Sequence, residues 1–381
     1  MSHSDDIKAE AESLGFFLSG ITPPATPAHF QQFENWLDAG RQGEMGYLAR
    51  PDSVVKRADP TMILAGCKSI LSLGILYTSP LYEPEERLAE SGSFGRVAAY
   101  AWGKDYHAVL PARLEQLAQK ISAILGQPVR QRRYTDTGPI LERDLAQTAG
   151  LGWIGKNTCL IASATGSFFF LAELLLDVEL ESDPPFPYDR CGTCRRCIEA
   201  CPTACILPNR TIEATHCISY LTIENKGPIP PELRPQIGNW VFGCDVCQEV
   251  CPWNLRFAPA SGDPAFAPRP GFPHPILRDE LKLTPPEFNL KFKSSPILRT
   301  RRRGYLRNMS VALGNQRDPS SIPALAEVLE YEPEPLVRSH AAWALGQIDT
   351  GGAMHALEKR LNTETDSDVL MEIKQSLAGQ T

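Results

Sequence analysis

Between Cys191 and Cys201 four cysteines stand at spacing C-x2-C-x2-C-x3-C, and Pro202 follows at once. No other feature constrains the chain as strongly, because a short loop must place four thiols together. The chain holds 11 cysteines in 381 residues, and nine of them fall between residues 191 and 251. Disulfide-dense proteins are small and secreted, whereas thiols crowded into one stretch of a long chain point to metal.

The run matches the bacterial ferredoxin pattern, in which the fourth cysteine serves a second cluster. A second, incomplete run supplies Cys244, Cys247 and Cys251, again followed by proline, at Pro252. Its missing member lies upstream, with Cys217 as the candidate and Cys205 as its rival. By the crossover rule, Cys191, Cys194, Cys197 and Cys251 hold one [4Fe–4S] cluster, and Cys201, Cys217, Cys244 and Cys247 hold the other. Zinc needs four ligands per site and has no use for the third x2-spaced cysteine or for twin Cys-Pro pairs. The chemistry is therefore one-electron transfer.

A chain of this length exceeds one hydrophobic core, so two or three domains are expected. The charge of −7 gives no overall sign of a polyanionic partner. The first residues, MSHSDDIKAEAESLG, are acidic and lack a basic, apolar leader. The most apolar stretch, Phe168–Val178, is too short to span a bilayer and carries Glu173. These features predict a cytoplasmic protein with no membrane partner, and a monomer is the default.

Apolar spacing predicts helices over Phe30–Leu48 and Tyr106–Leu125, and strands over Cys67–Tyr77 and Arg96–Gly103. Residues 129–140 read as a strand ending in a Gly-Pro turn, LERDLAQTAGLG as a helix stopped by glycines, and FFFLAELLLDVEL as a further strand. His107 opens a helix, where a histidine usually only hydrogen-bonds, with metal ligation as the rarer alternative. Prolines crowd residues 258–275. Beyond them VALG (311–314) recurs as WALG (343–346), and IPALAEVL (322–329) as MHALEKRL (354–361), both at an offset of 32 residues. That offset predicts HEAT-type helical hairpins. Just before the repeat, Lys291, Lys293, Arg299, Arg301, Arg302, Arg303 and Arg307 form a run without an acid. It reads either as a solvated helix face or as a phosphate-binding patch.

Upstream of the cysteines, YTDTGPILERDLAQTAGLGWIGKNTCLI sets Asp136 between a strand and a turn, where loops present catalytic groups. Asp136 is either a general acid or a helix cap. The segment GLGWIGKN lacks the strand-turn-helix context of a dinucleotide loop.

Taken in order, DTGPILERDLA, GLGWIGKNT, CGTCRRCIEACPT, CISYLTIE and GCDVCQEVCPWN closely resemble the epoxyqueuosine reductase family. The resemblance runs from about Met45 to Trp253 and has several implications. The fold would be α+β, with a nitroreductase-like cobalamin-binding domain over 1–182. A bacterial ferredoxin-like two-[4Fe–4S] module would cover 183–257, a proline-rich linker 258–290, and α-helical HEAT-like repeats 291–381. The activity would be reduction of epoxyqueuosine to queuosine at the tRNA wobble position, with Asp136 as proton donor. The cofactors would be cobalamin and two [4Fe–4S] clusters, fed by an external one-electron donor, and the tRNA would carry a GUN anticodon. Residues expected near the corrin are Arg57, Asp136, Lys156, Asn157, Ser219, Thr222, Lys226, Asp245 and Val246. The basic run from Lys291 to Arg307 would then meet tRNA phosphates. Two other readings are a cobalamin-dependent reductive dehalogenase and a non-catalytic electron-transfer module.

Overall fold

The computed structural model describes residues 2–82 and 94–379. The backbone forms two compact units, each discontinuous in sequence. One gathers residues 2–82, 103–214 and 245–267, and the other 94–102, 215–244 and 268–379.

The first unit is built on a four-stranded sheet of β1 (Leu18–Thr22), β2 (Ser69–Leu76), β3 (Gln131–Tyr134) and β4 (Phe169–Leu176), in the order β1-β2-β4-β3 with antiparallel neighbours throughout. The two central strands are apolar along nearly their whole length because both faces are covered. Glu173, fully buried in the middle of β4, is the charged exception on them. The helix Tyr106–Leu125 runs over the predicted residues and buries Leu110, Leu114, Leu117 and Ile121, which recur at helical spacing. Asp105 caps its start, and Gly126 ends it in the left-handed conformation.

Two predicted elements come out shorter. The helix from Phe30 stops at Asp38, because the chain turns through Gly40 and Gly43 at positive φ. Of the strand expected over Arg96–Gly103, only Arg96–Val97 pairs, with Trp240–Phe242. The alanines that follow curl into a single 3-10 turn at Ala99–Ala101, since small side chains offer little to a pleated surface.

The second unit ends in paired helices at Arg301–Gln316, Ile322–Tyr331, Pro335–Ile348, Gly351–Leu361 and Ser367–Ala378. The 32-residue offset has a steric cause. A Cβ on Gly314 would lie 2.8 Å from Ala344 Cα, and one on Gly346 2.7 Å from Ser376 Cβ, so each repeat glycine marks a close helix crossing. The proline-rich stretch carries short helices, Leu277–Glu280 and Pro285–Lys291, rather than bare chain. Its Phe272, Phe288 and Phe292 are buried and pack with one another and with Tyr305.

Arg234 and Glu372 pair bidentately at 2.8 and 3.0 Å inside this unit, with both side chains less than a tenth exposed. Removing one partner strands the other charge. Glu372→Ala should therefore cost about 3–5 kcal/mol, read as a lower urea midpoint for the tail. Among the described residues, no helix is long and apolar enough to cross a membrane.

Candidate cluster site and acid site

Cys191, Cys194, Cys197 and Cys251 line a single cavity of about 160 Å³ in the first unit, although Cys251 lies far along the chain from the other three. That volume suits a compact inorganic group and falls well short of the roughly 300 Å³ at which pockets for larger organic ligands begin. Among the described residues, no group of three or more His, Cys, Asp or Glu side chains is placed to hold a single metal ion. Four thiols around one cavity are the donor set that a [4Fe–4S] cluster takes. Burial, with the neighbouring Cys191 and Cys251 thiols, pushes the Cys197 thiol up to about 11. A thiol raised in this way needs a cationic centre beside it to ionise.

Trp253 lines the cavity, and further rings pack around it. Trp153 meets Trp253 edge to face at 4.9 Å and stacks on Phe186 at 5.6 Å. Arg190 lies over both Phe186 and Trp253. Lys156 Nζ donates to the carbonyls of Gly192 and Cys194 at 2.7 and 2.9 Å, which fixes the cysteine loop. Asn157 is buried and donates to the Cys247 carbonyl at 3.4 Å. Lys156 and Asn157 thus brace the cysteine-bearing backbone, a role that motif reading did not assign them.

In the same unit Cys201 Sγ lies 3.5 Å from Cys205 Sγ, and Cys205 is buried. Asp245 is buried and stands immediately before the short helix that starts at Val246. In the second unit, Cys217 stands immediately before the helix Ile218–Ile223 and Cys244 follows the strand Trp240–Phe242. Ser219 is half-buried there. Thr222 is fully buried, donating to the Ile218 carbonyl and accepting from the Gly243 N–H. Its hydroxyl serves packing and has no surface left for a ligand, contrary to expectation. Lys226 Nζ donates to the carbonyls of Ile223 and Arg299.

The acid site is assembled at the end of β3. Asp136 adopts φ +60°, a strained conformation for a residue other than glycine and one that aspartate tolerates better than most. Its N–H donates to Glu142 Oε1 at 2.5 Å. Its carboxylate accepts the Tyr106 hydroxyl at 2.8 Å and stands 3.5 Å from His107 Nε2. His107 Nδ1 faces Asp105 at 2.9 Å. The Asp136 side chain is 66% exposed, although protein surrounds it closely. The carboxylate is therefore reachable from solvent. Burial works to raise its carboxyl, but the His107 and Tyr106 hydrogen bonds win and hold it below the usual range. Burial likewise pulls the His107 imidazole down, while Asp105 and Asp136 outweigh this and lift it to about 9. At neutral pH the proton thus rests on His107, beside an ionised Asp136. Arg57 is buried, and the Glu142 charge acts on it.

The predicted basic run is mostly engaged. Arg302 pairs bidentately with Glu332 and Arg299 with Glu224, and Lys291 forms a single ion pair with Glu280. Arg307 is completely buried and donates to the carbonyls of Leu221, Asn225 and Gly227, so it holds the second unit together and cannot meet a phosphate. Lys293 and Arg301 are exposed, and Arg303 is half-exposed.

Three comparisons bear on this arrangement. A 4Fe-4S double cluster binding domain matches residues 190–254, an epoxyqueuosine reductase QueG (DUF1730) family model 57–137, and a HEAT repeats model 297–378. The epoxyqueuosine reductase of Pseudomonas aeruginosa is 42% identical over 345 residues, 90% of this chain and 93% of its own length. That of Cyclobacterium marinum is 41% identical over 308 residues, covering 81% and 96%. A crystal structure of epoxyqueuosine reductase with an epoxyqueuosine-modified tRNA stem loop is 31% identical, with TM-score 0.89, covering 98% of this chain and 97% of its own. The Bacillus subtilis enzyme, solved with its catalytic aspartate loop swung out of the active site, is 30% identical with TM-score 0.88, at the same coverage.

Proposed function

The chain belongs to the epoxyqueuosine reductase family, and we propose that it converts epoxyqueuosine to queuosine at the wobble position of tRNA, with Asp136 as the working acid. The observation that carries the role of Asp136 is its carboxylate, open to solvent yet held by Tyr106 and facing a charged His107.

Turning an epoxide into an alkene and water requires two electrons and two protons. Cobalamin and two [4Fe–4S] clusters supply the electrons when bound. The residues of this chain handle the protons. Tyr106 and His107 orient the Asp136 carboxylate, His107 stores one proton that Asp136 delivers to the departing oxygen, and the second proton comes from solvent. Cys191, Cys194, Cys197 and Cys251 hold one cluster. Cys201, Cys217, Cys244 and Cys247 hold the other, with Cys205 as the buried neighbour of Cys201. Arg57, Lys156, Asn157, Ser219, Lys226, Asp245 and Val246 stay in the proposed corrin surroundings, where Lys156 and Asn157 act through the cysteine-bearing backbone.

A wobble base must leave its stack to reach this carboxylate, as single-stranded loop bases do. We carry the substrate of the tRNA-bound relative to this chain, as tRNA with a GUN anticodon. The protein would work as a cytoplasmic monomer served by an external one-electron donor. The test is anaerobic turnover of epoxyqueuosine-containing tRNA with cobalamin and a chemical reductant, followed by nucleoside mass spectrometry. Queuosine formation supports the reading, and unchanged substrate with fully loaded protein ends it.

Phosphate contacts narrow to Lys293, Arg301 and Arg303. Changing all three to alanine should flatten the slope of log affinity against log salt by about 2–3, without altering the fold. Filter binding across a salt series reads this directly. An unchanged slope would leave these residues as solvated surface.

A further inference from the structure

One buried group remains unused by this chemistry. Glu173 sits in the central strand β4 at zero exposure, and neither carboxylate oxygen finds a hydrogen-bond donor. The sheet register sets it directly between Tyr134 of β3 and Ser72 of β2, so all three side chains share one face. Ser72 is buried too, and its hydroxyl also lacks a partner. An unpaired buried carboxylate costs several kcal/mol, so a chain keeps one only for a reason.

Glu142 supplies the reason. Its carboxyl meets that of Glu173, and it accepts the Asp136 N–H at 2.5 Å. Glu142 keeps part of its surface open, while protein crowds the carboxyl itself. Two ionised carboxylates cannot bond to each other, since neither can donate. With one proton between them they form an O–H···O bond. We propose that Glu142 and Glu173 share one buried proton, and that this proton holds Glu142 where it fixes the Asp136 loop in its strained working conformation.

The surrounding groups agree. Burial, then the charge of Asp136, pushes Glu142 up; burial and Glu142 push Glu173 up. Arg143 and Arg57 are the cations acting on Glu142. Arg143 is exposed and donates to the Thr158 carbonyl, and Arg57 donates to the Ser53 carbonyl, so neither replaces the proton. His107 and Tyr106 act on the Asp136 carboxylate and leave its N–H to Glu142. Once the pair loses its proton, the charges repel. Glu173 is locked in the sheet, so Glu142 moves outward and releases the loop. Glu142 and Glu173 are positioning residues, acting through Asp136.

The loop role rests on Asp136 being the working acid only for its effect on turnover, and its test is independent of turnover. Amide hydrogen exchange is followed across the 134–142 segment of the full-length protein, without substrate, from about pH 6 to about pH 10, after correction for intrinsic rates. In the native chain, protection should fall by about tenfold per pH unit once the shared proton leaves. In Glu173→Gln the amide donates to Glu142 without needing that proton, so protection should persist to the top of the range. Infrared difference spectra of the native chain should also show a protonated carboxyl band that Glu173→Gln removes. Identical exchange profiles in the two proteins would overturn the proposal, as would a native chain lacking the protonated band. If Glu173→Gln fails to fold, the native infrared band and exchange profile decide the matter alone.

Discussion

Asp136→Asn loses turnover by about 10²–10⁴-fold, while iron content and corrin binding stay at their native levels. The substitution preserves shape, so the Tyr106 hydroxyl can still donate to the side-chain oxygen and the backbone still meets Glu142. What disappears is a group able to take a proton from His107 and pass it on. Anaerobic single-turnover assays on reconstituted protein measure this, and full turnover in the variant would remove Asp136 from the mechanism. The pH profile adds a sign. His107 is raised to about 9, so the stored proton is present below that value and lost as pH climbs through it. Turnover should therefore fall on the alkaline side near pH 9. His107→Asn should move that limit to lower pH, which a merely structural histidine would not do.

Legibility in the sequence followed the range of each interaction. The cysteine spacing is local chemistry, and both the ferredoxin pattern and the distant Cys251 could be named before any fold was known. The HEAT-like tail was legible because its glycines recur wherever helices cross closely, at Gly314 and Gly346. The basic run misled for a physical reason. Charge is visible in sequence, but burial is not, and Arg307 makes its bonds to carbonyls inside the second unit. Thr222 misled in the same way. The acid site was half legible. Asp136 stood out only as a turn-borne acid that read equally as a helix cap, and its proton-donor role came from the family resemblance. Tyr106 and His107 followed the cap residue Asp105 in plain sight. Their convergence on Asp136, however, depends on a helix start meeting a strand end. Glu173 left one signal, an acid within an apolar strand, whose meaning required the register against Tyr134 and the approach of Glu142.

Cys251→Ala should cost the protein about four of its eight irons, although Cys251 lies in the second cysteine run. If each run built its own cluster, this variant would damage the site formed with Cys244 and Cys247. The cavity argues for the crossed arrangement, because Cys251 closes it against Cys191, Cys194 and Cys197, and Cys247 does not line it. The remaining cluster in Cys251→Ala should therefore tolerate a further Cys191→Ala change with no more iron lost. Cys205→Ala should keep both clusters. Iron and sulfide assays, with electron paramagnetic resonance of the reduced protein, separate the two arrangements. Full iron in Cys251→Ala, or loss of the second cluster in the double variant, would reject crossing. A crossed arrangement also gives the protein a mechanical property. Because the loop 191–197 and the turn at Cys251 meet through one inorganic centre, losing that centre should loosen both runs together. Trp153 and Trp253, packed beside the cavity, should report that loosening as a change in fluorescence.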